Sequence, residues 1–209
     1  MIPARDTILV AMHDDSATAM IREPAFLSGR MLIAMPTIGD PRFERALIYV
    51  CAHTADHAMG LTVNHPVEGL TVPDLLTKLG VTSEITLPPD LVRLGGPVES
   101  ERGFVLHTND YTCADSSIAV GEGLSLTATR EVLEAMVSHN RRPRHAMLAL
   151  GYAGWGPGQL EHEIRENVWL VCDPDEDLLF GEDHSQKWAR ALAKLGVRLD
   201  HLSGEAGRA

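Results

Sequence analysis

Between residues 31 and 66 the chain reads MLIAMPTIGDPRFERALIYVCAHTADHAMGLTVNHP, and this stretch limits the fold more than any other. Met31 to Met35 and Ala46 to Cys51 are apolar runs of strand length, the second with β-branched and aromatic residues inside it. Between them Gly39-Asp40-Pro41 is turn chemistry, because proline fixes its own φ and pushes the preceding Asp40 out of the helical region. Met59 to Asn64 makes a third run, and Pro66 bars its simple continuation. The chain is thereby committed to a sheet of short, buried strands.

The remaining segments add helices without regular alternation. Thr71-Val72-Pro73-Asp74 has the spacing of a capping box, Leu75, Leu76 and Leu79 fill one face, and Gly80 supplies a left-handed stop. Strands are expected over Leu91 to Leu94, Gly103 to His107, His145 to Leu150 and Val168 to Cys172. Asp110 to Ser117 reads as a loop, and Leu124 to Thr129 leads into a helix carrying Val132, Leu133, Met136 and Val137. The glycine-rich run 151 to 158 is expected to be a structural loop, and Asp173 to Asp183 a solvated acidic one. A final helix presents Trp188, Leu192 and Leu195 at helical spacing and stops at Gly196. This pattern predicts a single compact α+β domain over residues 26–209, preceded by a mobile N-terminal arm, residues 1–25.

Composition narrows the function. An apolar content of 44% suffices for a core, and three widely spaced cysteines without a Cys-x-x-Cys pair fit reduced thiols in a cytoplasm. No apolar run reaches the length of a membrane span. The net charge of -11 disfavours direct nucleic-acid binding, and Arg141-Arg142-Pro143-Arg144 is more simply a solvated loop after a helix. Glu161 and Glu163 would repel phosphate at the helix that follows the glycine run, and Asp173-Pro-Asp-Glu-Asp177 lacks the turn glycine and terminal ligand of a calcium loop.

The motifs taken together resemble the YqgE/AlgH-like proteins of bacteria. The resemblance rests on Leu32-Ile-Ala-Met-Pro36, Asp40-Pro-Arg-Phe-Glu-Arg-Ala46, Tyr49-Val-Cys-Ala-His53, Asn64-His-Pro66, Gly95-Gly-Pro-Val98 and Ala149-Leu-Gly-Tyr-Ala-Gly-Trp155. It continues through Asn167-Val-Trp169 and Trp188 and covers nearly the whole chain apart from the arm; His65 stands where the family usually has Lys or Arg. The resemblance implies a bent, partly barrel-like sheet flanked by helices and imports no mechanism.

Candidate chemistry concentrates in the opening stretch. Cys51 and His53 lie two apart on one strand, so alternation places them on one face, a thiol beside a base. Asp40, Arg45 and Asn64 complete the ligand- or redox-site candidates. No third catalytic member is identifiable, and adding His57, His65 or His107 gives no zinc spacing, so neither a metal nor a cofactor is expected. The expected function is that of a cytoplasmic, non-catalytic regulatory protein binding a small molecule or protein partner, with Cys51 as its responsive thiol. The alternative is a small hydrolase or transferase using Cys51 and His53.

Overall fold

The short apolar runs pair as antiparallel strands around a central meander. The computed structural model describes residues 26–113 and 116–198; the expected arm over residues 1–25 and the last residues of the chain lie outside them. β1 (Met31–Ala34), β2 (Leu47–His53) and β3 (Ala58–Thr62) follow one another with Met31 opposite Tyr49 and Ile48 opposite Thr62. β10 (Trp169–Cys172) returns to the free side of β1, and β9 (Ala146–Trp155) lies against β3. Every residue of β1 is fully buried, as a strand covered on both faces must be.

Beyond β9 the sheet continues through β6 (Val98–Thr108), β8 (Leu124–Thr127) and β7 (Ser117–Gly121). β4 (Pro66–Thr71) and β5 (Leu91–Leu94) branch from β9, where β5 makes a parallel pairing. Although β3, β9, β6 and β8 separate β2 from β7 in the sheet order, the Tyr49 hydroxyl donates to the Val120 carbonyl at 2.8 Å. Strand twist has curled the sheet until its end meets its middle. The result is a half-barrel of α+β class, as the resemblance implies.

Three apolar layers fill it. Ile33, Tyr49, Leu61 and Leu106 line the inside of the curl, closed by Trp188 and Leu192 of α5 (His184–Lys194). The outer face, with Leu32, Ile48, Trp155 and Trp169, is covered by Leu160 of α3 (Gln159–Arg165). α1 (Val72–Lys78) and α2 (Arg130–Met136) bury Val72, Leu76 and Val132 against Val92, Val105 and Leu148. The predicted capping box is present at α1: the Thr71 hydroxyl accepts from the Asp74 amide at 3.2 Å and the Asp74 carboxylate accepts from the Thr71 amide at 3.4 Å.

Three expectations are corrected. The glycine run is a strand as far as Trp155, because Ala153 and Trp155 pair with β3 and only 156–158 turns. Gly151 is glycine there for its left-handed backbone, φ 69°, and for contact: a Cβ on it would overlap the Gly96 carbonyl, and one on Gly96 would overlap the Tyr152 and Ala153 backbone. Leu124 to Thr127 is a strand, paired with β6 and β7, and β7 begins at the end of the expected loop. As expected, the third run does not continue through Pro66: β3 ends at Thr62, and Pro66 opens β4, a position at which the missing amide costs no ladder bond. Inside the acidic loop, Asp175 caps a short α4 (Glu176–Phe180) by accepting from the Leu178 amide at 2.9 Å.

Candidate functional site

A β-bulge decides what Cys51 and His53 can do. Val50 stands opposite Gly60 while Ala52 stands opposite Met59, so Cys51 is an extra residue in β2. The insertion reverses the alternation that follows. Cys51 points into the inner core with Tyr49 and Leu61, whereas His53, opposite Ala58, turns to the outer face. The expected shared face is therefore overturned.

Each side chain has a structural occupation. Cys51 is 5% exposed, its thiol lies 3.7 Å from the Tyr49 carbonyl, and burial pushes its pKa up to about 12. A nucleophilic thiol needs the opposite shift. The His53 Nδ1 accepts from the Leu27 amide at 3.0 Å, which leaves Nε2 as the protonated nitrogen facing the Glu161 carboxylate at 3.0 Å. His53 thus ties the segment before β1 to α3, and Phe26 packs edge-on against its ring.

Of the other three candidates, Arg45 and Asn64 come together and Asp40 stands apart. Asp40 caps the 3-10 turn Pro41–Phe43, accepting from the Arg42 amide at 3.0 Å and from the Arg42 guanidinium at 3.0, 3.1 and 2.6 Å. That hydrogen-bonded guanidinium holds the Asp40 carboxyl below its ordinary pKa. Two residues after the turn, Arg45 adopts a left-handed backbone with φ 52°, rare for a residue with a Cβ. Asn64 holds it there: its Oδ1 accepts from the Leu47 amide at 2.7 Å and its Nδ2 donates to the Arg45 carbonyl at 2.9 Å. His65 adds a bond from Nε2 to the Glu44 carbonyl at 3.1 Å. The Asn-His-Pro motif at the exit of β3 is a brace for the strained turn.

The braced turn forms one wall of a cleft of ≈ 680 Å³, and α5 forms the other. Met35 and Ile38 line it from the loop, and Trp188 and Ala189 from α5. The Trp188 indole is fixed by donating to the Ala34 carbonyl at 2.8 Å, and the Arg45 guanidinium sits 5.7 Å from its ring centroid. A cation on an aromatic ledge, beside the apolar Met35 and Ile38 and the polar Glu44 and Gln186, suits a ligand with an apolar part and an anionic or carbonyl group. Asp40 lies on the other side of the same loop, beside a second cleft of ≈ 470 Å³ walled by Trp155 and Trp169. Those indoles both donate to Glu163 Oε2, at 2.9 and 2.7 Å, which makes Trp155 a packed residue.

Several polar residues escaped the sequence reading. Glu163 unites two tryptophans far apart in sequence with no local pattern to announce it. Lys187 is 1% exposed and Arg93 4% exposed. The signal for Lys187 is its place in α5, next to Trp188 and four residues before Ala191, within the buried stripe. Among the described residues no group of three or more His, Cys, Asp or Glu side chains is placed to hold a metal ion, and no helix is long and apolar enough to cross a membrane.

Comparison with known proteins places this geometry. A family model described as AlgH-like matches residues 31–200. A UPF0301 protein of Caulobacter vibrioides is 66% identical over 184 residues, covering 88% of this chain and 94% of that protein. A UPF0301 protein of Bradyrhizobium diazoefficiens is 50% identical over 191 residues, covering 88% and 89%. The solution structure of the AlgH protein from Pseudomonas aeruginosa superposes with a TM-score of 0.68 at 36% identity, over 90% of this chain and 98% of that one. The crystal structure of a Corynebacterium diphtheriae protein, 19% identical, shares the fold with a TM-score of 0.66, over 86% and 90%.

Proposed function

The chain belongs to the AlgH-like family of bacterial proteins, and from that premise we propose that it is a non-catalytic regulatory protein that binds a ligand or a partner segment in the cleft between the 34–45 loop and α5. The observation that carries the proposal is Arg45. A left-handed arginine costs roughly 1–2 kcal/mol, and here Asn64 and His65 are spent on holding it over Trp188 at the mouth of the ≈ 680 Å³ cleft. Strain kept in place by dedicated partners at a cavity is characteristic of a recognition site. The occupant that fits is an apolar side chain or small molecule bearing a carboxylate or carbonyl, seated on Met35, Ile38 and Trp188 with its polar group at Arg45.

The hydrolase or transferase alternative would need Cys51 and His53 within hydrogen-bond reach, and the bulge sets them on opposite faces. A response through the Cys51 thiol would need the core to open first, so it is left out of the proposal. The test is a fragment screen on the full chain by amide chemical-shift mapping. Binding of apolar carboxylates should shift residues 34–45 and α5, and Ala189→Trp, which fills the cleft, should abolish those shifts. Shifts that map elsewhere, or that survive Ala189→Trp, would overturn the reading.

A further inference from the structure

On the side of β5 that turns toward α5, the protein gathers basic side chains that no carboxylate pairs among the described residues. The chain as a whole carries -11, so this group of basic side chains is not a reflection of its composition. Lys187 reaches only carbonyls, donating from Nζ to Leu179 at 3.0 Å and to Val63 at 3.3 Å. Arg93 donates to the Leu91 carbonyl, and its buried Nε has no partner. The buried Nδ1 of His184 has none either. Among the described residues none of the three is within ion-pair distance of a carboxylate.

These groups feel one another. Burial, with the charge of Arg93 added to it, drives Lys187 down to about 7 and His184 down to about 4. Asp90 opposes this from the other direction, acting on Arg93 and Lys187, and Asp183 acts on His184. Arg93, Asp90 and Arg142 also line a cavity of ≈ 50 Å³, with Val72, Met136 and Leu148 as apolar wall. A space of that size takes a few waters or one small oxyanion and excludes a nucleotide. A guanidinium whose buried Nε lacks an acceptor, at a small cavity that a second arginine also lines, is the chemistry of oxyanion recognition.

We propose that the cavity beside Arg93 is a binding site for a small oxyanion of phosphate type, held by Arg93 and Arg142. The bound anion gives the Arg93 Nε its missing acceptor and offsets the charge that Arg93 exerts on Lys187 and His184. Arg142 reaches the cavity from an exposed loop, which gives the ion a route in without opening the core. The site is separate from the cleft at Arg45, and either can exist without the other.

The experiment uses the full chain and inorganic phosphate, with sodium chloride at matched ionic strength as the control. Phosphate should raise the melting temperature in a saturable way beyond chloride, and titration followed by NMR should show the His184 ring and Lys187 Nζ moving toward their ordinary protonation as phosphate binds. Arg142→Gln, a surface change that leaves the core intact, should weaken phosphate at least tenfold, and Arg93→Met should remove the effect. Ala189→Trp should leave it unchanged, which separates this site from the cleft. Equal stabilisation by chloride, an unresponsive His184 and Lys187, or full phosphate affinity in Arg142→Gln would each overturn the proposal.

Discussion

The side-chain amide of Asn64 donates to the carbonyl of Arg45 at 2.9 Å, fixing a left-handed arginine at the edge of the cleft. The same amide accepts from the buried Leu47 amide at 2.7 Å, so one residue sets both the strained turn and the start of β2. Asn64→Ala should cost about 2 kcal/mol, because the Leu47 N–H is left unpaired inside the protein while the Arg45 carbonyl can turn to water. The melting temperature should fall by roughly 4–8 °C, read by circular dichroism. A loss below 1 °C would show that the brace is dispensable.

Arg45 itself separates strain from recognition. Glycine adopts the left-handed region freely, so Arg45→Gly should be more stable than Arg45→Ala by about 1 kcal/mol, against the usual order of the two residues. Both variants lose the guanidinium above Trp188 and should lose cleft binding alike. Chemical denaturation ranks the stabilities. If Arg45→Ala is the more stable, the turn holds no strain.

Much of the fold was legible because its signals are local. The runs of β1 and β2, the capping box of α1 and the glycine after α5 each need only a few neighbouring residues to be read. β7 and β8 are legible only through their pairing, since Ser117 to Thr127 is polar enough to read as a connection until Leu126 is seen opposite Leu106. The site suffered from the same limit. Alternation assigns Cys51 and His53 to one face, and a single unpaired residue in β2, invisible without β3, reverses it. The convergence of Asn64 on Arg45 and the stacking of Trp188 beneath it depend on contacts between residues 19 and 143 positions apart, beyond any periodicity.

The Gly95-Gly96 pair records a backbone contact. Gly96 lies directly on the Tyr152–Ala153 backbone, and Gly151 on the Gly96 carbonyl, so neither position has room for a methyl group. Gly96→Ala must therefore push β9 away from the strand connection, at a cost of roughly 3 kcal/mol or more by analogy with overpacked cores. Gly69→Ala, at an exposed position with open space around it, tests only the left-handed backbone and should cost about 1 kcal/mol. Comparable losses in the two variants would show that the contact at Gly96 is not close.

Acid should destabilise the protein through His184. Its pKa is pushed from 6.5 down to about 4 by burial and by Arg93 and Lys187, so the unfolded chain takes up this proton first as pH falls. The stability it contributes is present above pH 6.5 and is lost as pH drops toward 4, with a slope of up to about 1.4 kcal/mol per pH unit. His65 and His107 are shifted the same way by burial and add to the trend. In His184→Gln the slope of unfolding free energy between pH 6.5 and 4 should be shallower than in the parent chain. An unchanged slope would place the His184 ring in water.

The three cysteines should label in the order their surroundings dictate. Cys113 is half-buried in a loop, whereas Cys51 and Cys172 are 5% and 2% exposed with thiols raised by burial. With its pKa near 12, roughly one Cys51 thiol in ten thousand is ionised at pH 8. Alkylation of Cys51 must then wait for opening of the inner core, and should run at least ~100-fold slower than in the denatured chain. Cys113 should approach the denatured rate. Mass mapping of iodoacetamide-treated protein reads both in one experiment. Rapid labelling of Cys51 in the folded chain would return the thiol to the functional reading and remove the argument that the 34–45 cleft, rather than the β2 strand end, is where this protein meets its ligand.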